Sequence, residues 1–157
     1  FYYVMRKSEQ HIDFDLENKE TKSKDNAVYY IQYAYARVNR MVDIKAPEKN
    51  IPFARDQLAN YNASLLTLEA ETEILAKLAA YPEILIRAAN SYEPHQIGNY
   101  LKELAALFHG WYNLDDAKVL DDQNIPLSQA RLLLSINVQQ VLKNGLTLLG
   151  VSAPYEM

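Results

Sequence analysis

Residues 29–38 read YYIQYAYARV and carry four tyrosines and one arginine in ten positions. On a helix of 3.6 residues per turn, Tyr29, Tyr33, Arg37 and Arg40 recur at intervals of four, four and three, so they share one face. Tyrosine rings stack on unpaired bases and arginine binds phosphates or base edges, which makes this face a candidate platform for single-stranded nucleic acid. An ordinary solvated helix face, on which amphipathic tyrosines lie flat, explains the same pattern equally well.

Residues that could support catalysis or metal binding are sparse. The four glycines are not spaced as a phosphate-binding loop. His11, His95 and His109 stand apart, without a His-x-x-x-His or Glu-x-x-His pair, so no metal site is expected. The aspartates of LDDAKVLDD, residues 114–122, indicate a solvated loop, because the segment lacks the glycine and terminal glutamate of an EF-hand. We therefore expect no catalytic residue, bound metal or cofactor in this chain.

Length and composition favour one domain with a real core. The chain has 157 residues, of which 49% are hydrophobic, and it has no cysteine, which excludes disulfides and fits a reducing compartment. No apolar run approaches the roughly 20 residues of a membrane-spanning helix. The net charge of −4 argues against general neutralisation of a phosphate backbone. Any contact with RNA is therefore expected to be local.

The elements that must position the tyrosine face are mostly helices. Residues 12–17 alternate apolar and acidic side chains, which predicts a half-buried strand, and residues 18–27 are polar and charged, as in a linker. Asp25 or Asn26 can cap the helix that carries Tyr33, because their side-chain oxygens accept from first-turn amides. The core face of this helix is predicted to contain Val28, Ile31, Tyr35, Val38 and Val42.

Four further helices are expected after two prolines in residues 46–53 end the first one. They are predicted over residues 67–81, 82–88, 94–112 and 126–149. Thr67 resembles an N-cap, and Gly150 ends the last helix before a non-helical tail. The apolar side of that helix is predicted to contain Leu127, Ala130, Leu134, Val138, Val141 and Leu148. The fold class is thus a mainly α bundle of about five helices with a short strand-containing lead-in at the N-terminus.

Three separated stretches resemble one protein family. DNAVYYIQYAYARV, SYEPHQIGNYLKELAALFHGWYN and SQARLLLSINVQQVLKNGLTLLGVSAPYEM look, in this order, like signature stretches of the C-terminal part of arginyl-tRNA synthetases, which are class I aminoacyl-tRNA synthetases. The resemblance covers nearly the whole chain. It implies that residues 1–24 are the end of a catalytic region and a linker, and that residues 25–157 are a helical anticodon-binding domain of the DALR type.

The resemblance also implies where tRNA would bind. Carried over position by position, it places anticodon-loop contacts on Tyr33, Arg37, Tyr112, Asn113, Met157 and the loop around Asn26. Tyr29 and Arg40 share the helix face without a firm motif match, so they are weaker candidates.

The sequence also predicts the structural roles of four other residues. Tyr35 stands where the family often has histidine, and its period places it toward the core. Trp111 is unusual for the family and is expected to fill space rather than extend the platform. His109 is expected to be a satisfied, partly buried histidine, and Arg131 to bridge the last helix to a neighbouring carboxylate.

The resemblance places the chemistry of the family outside this sequence. ATP-site signatures of the His-Ile-Gly-His and Lys-Met-Ser-Lys-Ser type are absent here and would lie upstream. The parent enzyme would use ATP with magnesium to attach arginine to tRNA in the cytoplasm, and this fragment alone should be inactive. Its partners would be the tRNA anticodon loop and its own catalytic domain, with no membrane and no DNA. Two alternatives stay open: a helical protein-interaction module, or the related anticodon domain of another synthetase, such as the larger subunit of the glycyl enzyme.

Overall fold

The computed structural model describes residues 26–157. Its five main helices are α1 (Ala27–Arg40), α2 (Glu69–Ala79), α3 (Tyr81–Ser91), α4 (His95–Tyr112) and α5 (Ile125–Leu148). This range contains no strand, and none of its helices is long and apolar enough to cross a membrane. The predicted helix bundle is confirmed. The predicted strand at residues 12–17 and the linker lie outside the described residues, and the domain boundary at residue 24 stays a prediction.

Helix α1 extends further than the prolines indicated. Its N-cap is Asn26, whose side-chain oxygen accepts from the amides of Val28 at 3.0 Å and Tyr29 at 3.5 Å. The helix continues as a π-helical segment, Met41–Lys45, and a short helical turn, Ala46–Glu48. Within it the amide of Ala46 donates to the carbonyl of Met41, five residues back. This wider turn accommodates the missing amide hydrogen of proline, so the helix passes the first of the two prolines.

Helix α2 is capped by a glutamate that also forms a buried ion pair. The backbone amide of Leu68, the N-cap, donates to Glu71 Oε2 at 3.0 Å, so the cap lies one residue after the predicted Thr67. Glu71 Oε1 accepts from Arg131 Nε at 2.7 Å. Arg131 also donates to the carbonyl of Lys118 at 3.1 Å. The predicted bridge from the last helix to a neighbouring carboxylate is confirmed, and it joins α2 to α5.

Helix α4 lies in the middle of the bundle and packs against the other four helices. The core around it contains Ile31, Val38, Leu101, Leu104, Phe108, Trp111, Leu134, Val138, Leu142 and Leu146. Trp111 is only 1% exposed, which confirms that it fills the core.

Four assignments to the core faces were wrong: Val28, Tyr35 and Leu127 are only partly buried and lie outside the core, and Leu148 is exposed. Leu148 is 61% exposed. It follows Leu146 by two residues, about 200° around the helix, so the two side chains point in opposite directions. Tyr35 is half-buried rather than part of the core, and the neighbouring Ala34 and Ala36 are buried instead.

Helices α4 and α5 approach closely at Gly145. A Cβ atom at this position would lie 2.5 Å from Leu101 Cδ2 and 2.8 Å from Leu101 Cδ1. Leu101 is fully buried and has neighbours on all sides. A larger residue at this position would therefore displace the Leu101 side chain.

We expect Gly145→Ala to lower the free energy of unfolding by about 1–3 kcal/mol, because Leu101 must move within a packed core. Gly110→Ala is the matched control, since nothing lies within 4 Å of a Cβ at that exposed helical position. The control should be neutral or stabilising by up to about 1 kcal/mol, because alanine favours the helix over glycine. Urea unfolding monitored by circular dichroism measures both, and equal stability of the two variants would contradict the close contact.

We expect Arg131→Met to lower the free energy of unfolding by about 3–5 kcal/mol, because it leaves the buried carboxylate of Glu71 without its cation. The double variant Arg131→Met/Glu71→Leu should recover part of the loss, since no unpaired charge is then buried. The measurement is urea unfolding of the two variants and the unaltered chain. A double variant less stable than the single one would show that the pair is not the source of the loss.

Candidate nucleic-acid interface

The guanidinium group of Arg37 on α1 lies between two aromatic rings. Its Cζ atom is 4.7 Å from the ring centroid of Tyr33, one turn earlier on α1, and 4.7 Å from that of Tyr112 at the end of α4. Its NH2 group donates to the Tyr33 hydroxyl at 3.0 Å. Contacts between a cation and two ring faces, together with this hydrogen bond, fix the plane of the guanidinium group.

His109 on α4 also forms a hydrogen bond with Arg37. Its Nδ1 atom accepts from Arg37 NH1 at 3.1 Å, and its Nε2 atom lies 3.4 Å from the carbonyl of Tyr30. Both contacts fit the neutral ring with its proton on Nε2. The imidazole also stacks on Tyr33, with centroids 5.5 Å apart and planes at 26°. The prediction that His109 is a buried, satisfied histidine is confirmed.

Arg37 retains donors for a ligand. A guanidinium group has five N–H donors, and the contacts to Tyr33 and His109 use two of them. The three others can donate to a carbonyl or phosphate oxygen. Because the plane is already fixed, a ligand would meet donors in a set direction.

Five of the predicted site residues line one cavity of about 500 Å³. They are Tyr33, Arg37, Arg40, Tyr112 and Met157. The cavity thus joins the outer face of α1, the end of α4 and the C-terminal tail.

Positive charge is concentrated at this cavity. Its lining contains the cations Arg37, Arg40 and Lys45 and one acidic side chain, that of Glu156, while Lys45 also pairs with Glu48 at 2.8 Å. The chain as a whole carries a net charge of −4. A negatively charged ligand would therefore meet a local excess of cations despite the acidic composition.

The other predicted residues lie around the cavity. The ring of Tyr29 is nearly parallel to that of Tyr33, at 2° and 6.5 Å between centroids, and extends the aromatic row. Asn113 is exposed and lines a second, adjoining cavity together with Tyr112. Asn26 caps α1 with its side-chain oxygen, as described above.

Lys45 and Tyr155 are among the lining residues that the sequence did not predict. At 100° per residue Lys45 lies about 80° around the helix from Arg37, so α-helical periodicity does not place it on the same face. The wider π-helical turn over Met41–Lys45 brings it there. Tyr155 lies in the non-helical tail, where periodicity gives no information.

The described residues contain no group of histidine, aspartate and glutamate side chains that could hold a metal ion.

Comparison with known proteins identifies the family. Residues 31–157 match the DALR anticodon binding domain. The whole chain is 69% identical to an Acinetobacter baylyi protein named Arginine--tRNA ligase and covers 26% of its length. The chain belongs to the DALR anticodon binding domain family, and it spans about a quarter of the length of the curated relatives that it matches.

Solved structures agree with this assignment. A Campylobacter jejuni protein provisionally named an arginyl-tRNA synthetase superposes with a TM-score of 0.80 at 27% identity, over 99% of this chain and 32% of its own. Thermus thermophilus arginyl-tRNA synthetase gives a TM-score of 0.75 at 27% identity, over 98% of this chain and 25% of its own. Both superpositions show that the similarity in sequence is accompanied by a similar backbone fold.

We expect Arg37→Ala to lower the free energy of unfolding by about 1 kcal/mol, because Nδ1 of the buried His109 loses its donor. Arg40→Ala is the control, since Arg40 is exposed and should change stability by less than about 0.5 kcal/mol. Urea unfolding of both variants measures the difference. Equal stabilities would show that the contact between Arg37 and His109 contributes nothing to the fold.

Proposed function

We propose that this chain is the anticodon-binding domain of an arginine–tRNA ligase. The observation that carries the proposal is Arg37, fixed between Tyr33 and Tyr112 at the wall of a cavity with two further cations. Aromatic rings beside a cation suit the unpaired bases of an RNA loop, which are recognised by stacking and by hydrogen bonds to their edges. The family match and the names of the relatives supply the particular RNA.

In this proposal, bases unstacked from the anticodon loop lie against the rings of Tyr33 and Tyr112. The free N–H donors of Arg37 bind a base edge or a phosphate oxygen, since arginine offers a planar, directional set of donors. Arg40 and Lys45 neutralise phosphates at the cavity mouth. Asn113 and the main chain near Asn26 would make further contacts with the anticodon loop.

The chemistry of the enzyme belongs to the parts of the protein outside this chain. There, ATP with magnesium would activate arginine, which would then be transferred to the tRNA. This domain would supply recognition and positioning of the tRNA, in the cytoplasm, in contact with the enzyme's own catalytic domain. Alone, it should not aminoacylate tRNA.

A protein-docking role for the tyrosine face is the alternative from another class. A contiguous apolar patch that includes Trp111 and lacks converging arginines would support this role. Trp111 is buried, and the cavity wall holds Arg37, Arg40 and Lys45, so the observations favour RNA. The name carried by the relatives favours arginine over another synthetase.

Binding of an arginine anticodon stem-loop tests the proposal. We expect the chain to prefer it over a stem-loop with altered anticodon bases, and Tyr33→Ala or Arg37→Ala to weaken binding about tenfold or more, since one stacked base contributes about 1–3 kcal/mol. Three cations near phosphates predict a shallow salt dependence, with a slope of log K on log salt of about −2. Fluorescence anisotropy at low and physiological salt measures all three quantities.

Two variants far from the cavity serve as controls. Arg87→Ala removes an exposed arginine of α3 that pairs with Glu83, and Tyr92→Ala removes a ring that is 91% exposed at the end of the same helix. Neither should change RNA affinity. Loss of affinity in these controls equal to that of the site variants would contradict the assignment of the site, and absence of anticodon preference in the unaltered chain would contradict the function.

A further inference from the structure

The C-terminal tail, residues 150–157, runs along α1 and is hydrogen-bonded to it. Gly150 adopts φ = 69°, which turns the chain back after α5, and the amide of Val151 donates to the carbonyl of Leu146 at 2.8 Å. Gln32 Nε2 then donates to the carbonyl of Ser152 at 2.8 Å. These contacts bring residues 153–157 to the rim of the cavity described above.

The last two tethers both involve Tyr155. Its carbonyl accepts from Asn39 Nδ2 at 3.0 Å, and its hydroxyl donates to Asp43 Oδ2 at 2.6 Å. The second bond is short because the acceptor is a carboxylate. The hydrogen bond to Asp43 raises the pKa of Tyr155, in keeping with a protonated hydroxyl that donates to this carboxylate.

Asp43, the acceptor of this bond, is also held by residues outside the tail. Arg55 donates to both carboxylate oxygens of Asp43, at 3.2 and 3.1 Å. It also donates to Asn39 Oδ1 at 3.2 Å and to Gln139 Oε1 at 2.9 Å. Asn39 and Gln139 are buried and bonded to each other at 2.6 Å. Four parts of the chain therefore fix the site to which Tyr155 binds: α1, the π-helical segment Met41–Lys45, the loop that carries Arg55, and α5.

The tail itself has little other support at this point. Tyr155 is 56% exposed, and Glu156 and Met157 are exposed as well. All three nevertheless line the cavity that contains Arg37 and Arg40. The position of this cavity wall therefore depends on the few bonds that hold Tyr155.

We propose that Tyr155 is a positioning residue, whose hydroxyl bond to Asp43 latches the C-terminal tail and so holds Glu156 and Met157 as one wall of the RNA-binding cavity. The part of this inference that concerns RNA rests on the proposed function. With the latch closed, the cavity has a fixed width and a base is selected by fit. With the latch open, the wall moves away and the cavity accepts different bases with less discrimination.

Tyr155→Phe tests the latch, because it removes one hydroxyl from an exposed ring and leaves the fold intact. Two measurements are made on the full chain: the rate at which carboxypeptidase Y releases Met157, followed by mass spectrometry, and the affinities for the arginine anticodon stem-loop and its altered counterpart. We expect release about threefold or more faster, and the preference between the two RNAs to fall about three- to tenfold, the range that one ordinary, solvent-exposed hydrogen bond supports. Tyr92→Phe is the matched control and should change neither quantity.

A double-mutant cycle with Asp43→Ala identifies the partner. If the two side chains act through one bond, Tyr155→Phe should have no further effect on release in the Asp43→Ala background. Equal effects of Tyr155→Phe in both backgrounds would overturn the pairing.

The remaining outcomes separate the two proposals. Unchanged release of Met157 in Tyr155→Phe would overturn the latch, whatever the RNA result. Faster release with unchanged RNA preference would overturn the positioning role. If the unaltered chain shows no anticodon preference, the proposed function fails and the RNA part of this inference fails with it, whereas the release measurement still decides whether Tyr155 holds the tail.

Discussion

Helices α4 and α5 approach closely at Gly145, where the side chain of Leu101 occupies the space that a Cβ would take. Since α4 packs against every other main helix, its position in the bundle determines where its far end lies. That end carries His109 and Tyr112, which must meet Tyr33 and Arg37 of α1 within a few ångströms. A shift of α4 away from α5 would therefore be transmitted to the guanidinium group, because packed interiors move as units.

The cavity shows how an acidic chain can present a locally positive surface. Arg37 and Arg40 line it together with Lys45, which pairs with Glu48, and Glu156 is its one acidic side chain. Arg37 is held by two rings and a histidine, which lowers the entropic cost of ordering its side chain when a ligand binds. Specific contacts of this kind depend less on salt than general attraction to a phosphate backbone.

Much of the site was predictable because it follows helical periodicity and motifs of known order. Tyr33 and Arg37 are one turn apart, so their common face could be derived from the sequence, and the resemblance added Tyr112 and Met157. Leu148 was assigned to the core face because it follows Val141 by seven residues, but it is the last residue of α5 and is exposed. Lys45 was missed because α-helical periodicity does not anticipate the π-helical segment Met41–Lys45.

The sequence by itself determined the helix bundle, the acidic balance, and the pairing of tyrosine with arginine on one face, since each depends on composition or on spacing along the chain. Only the tertiary structure decided that Arg37 lies between Tyr33 and Tyr112, that His109 supports it, and that Tyr155 is bonded to Asp43. The contacts of Arg37 with His109 and Tyr112, and that of Tyr155 with Asp43, join residues 72 to 112 positions apart. No local pattern specifies such pairs, because they depend on how the helices pack around the core.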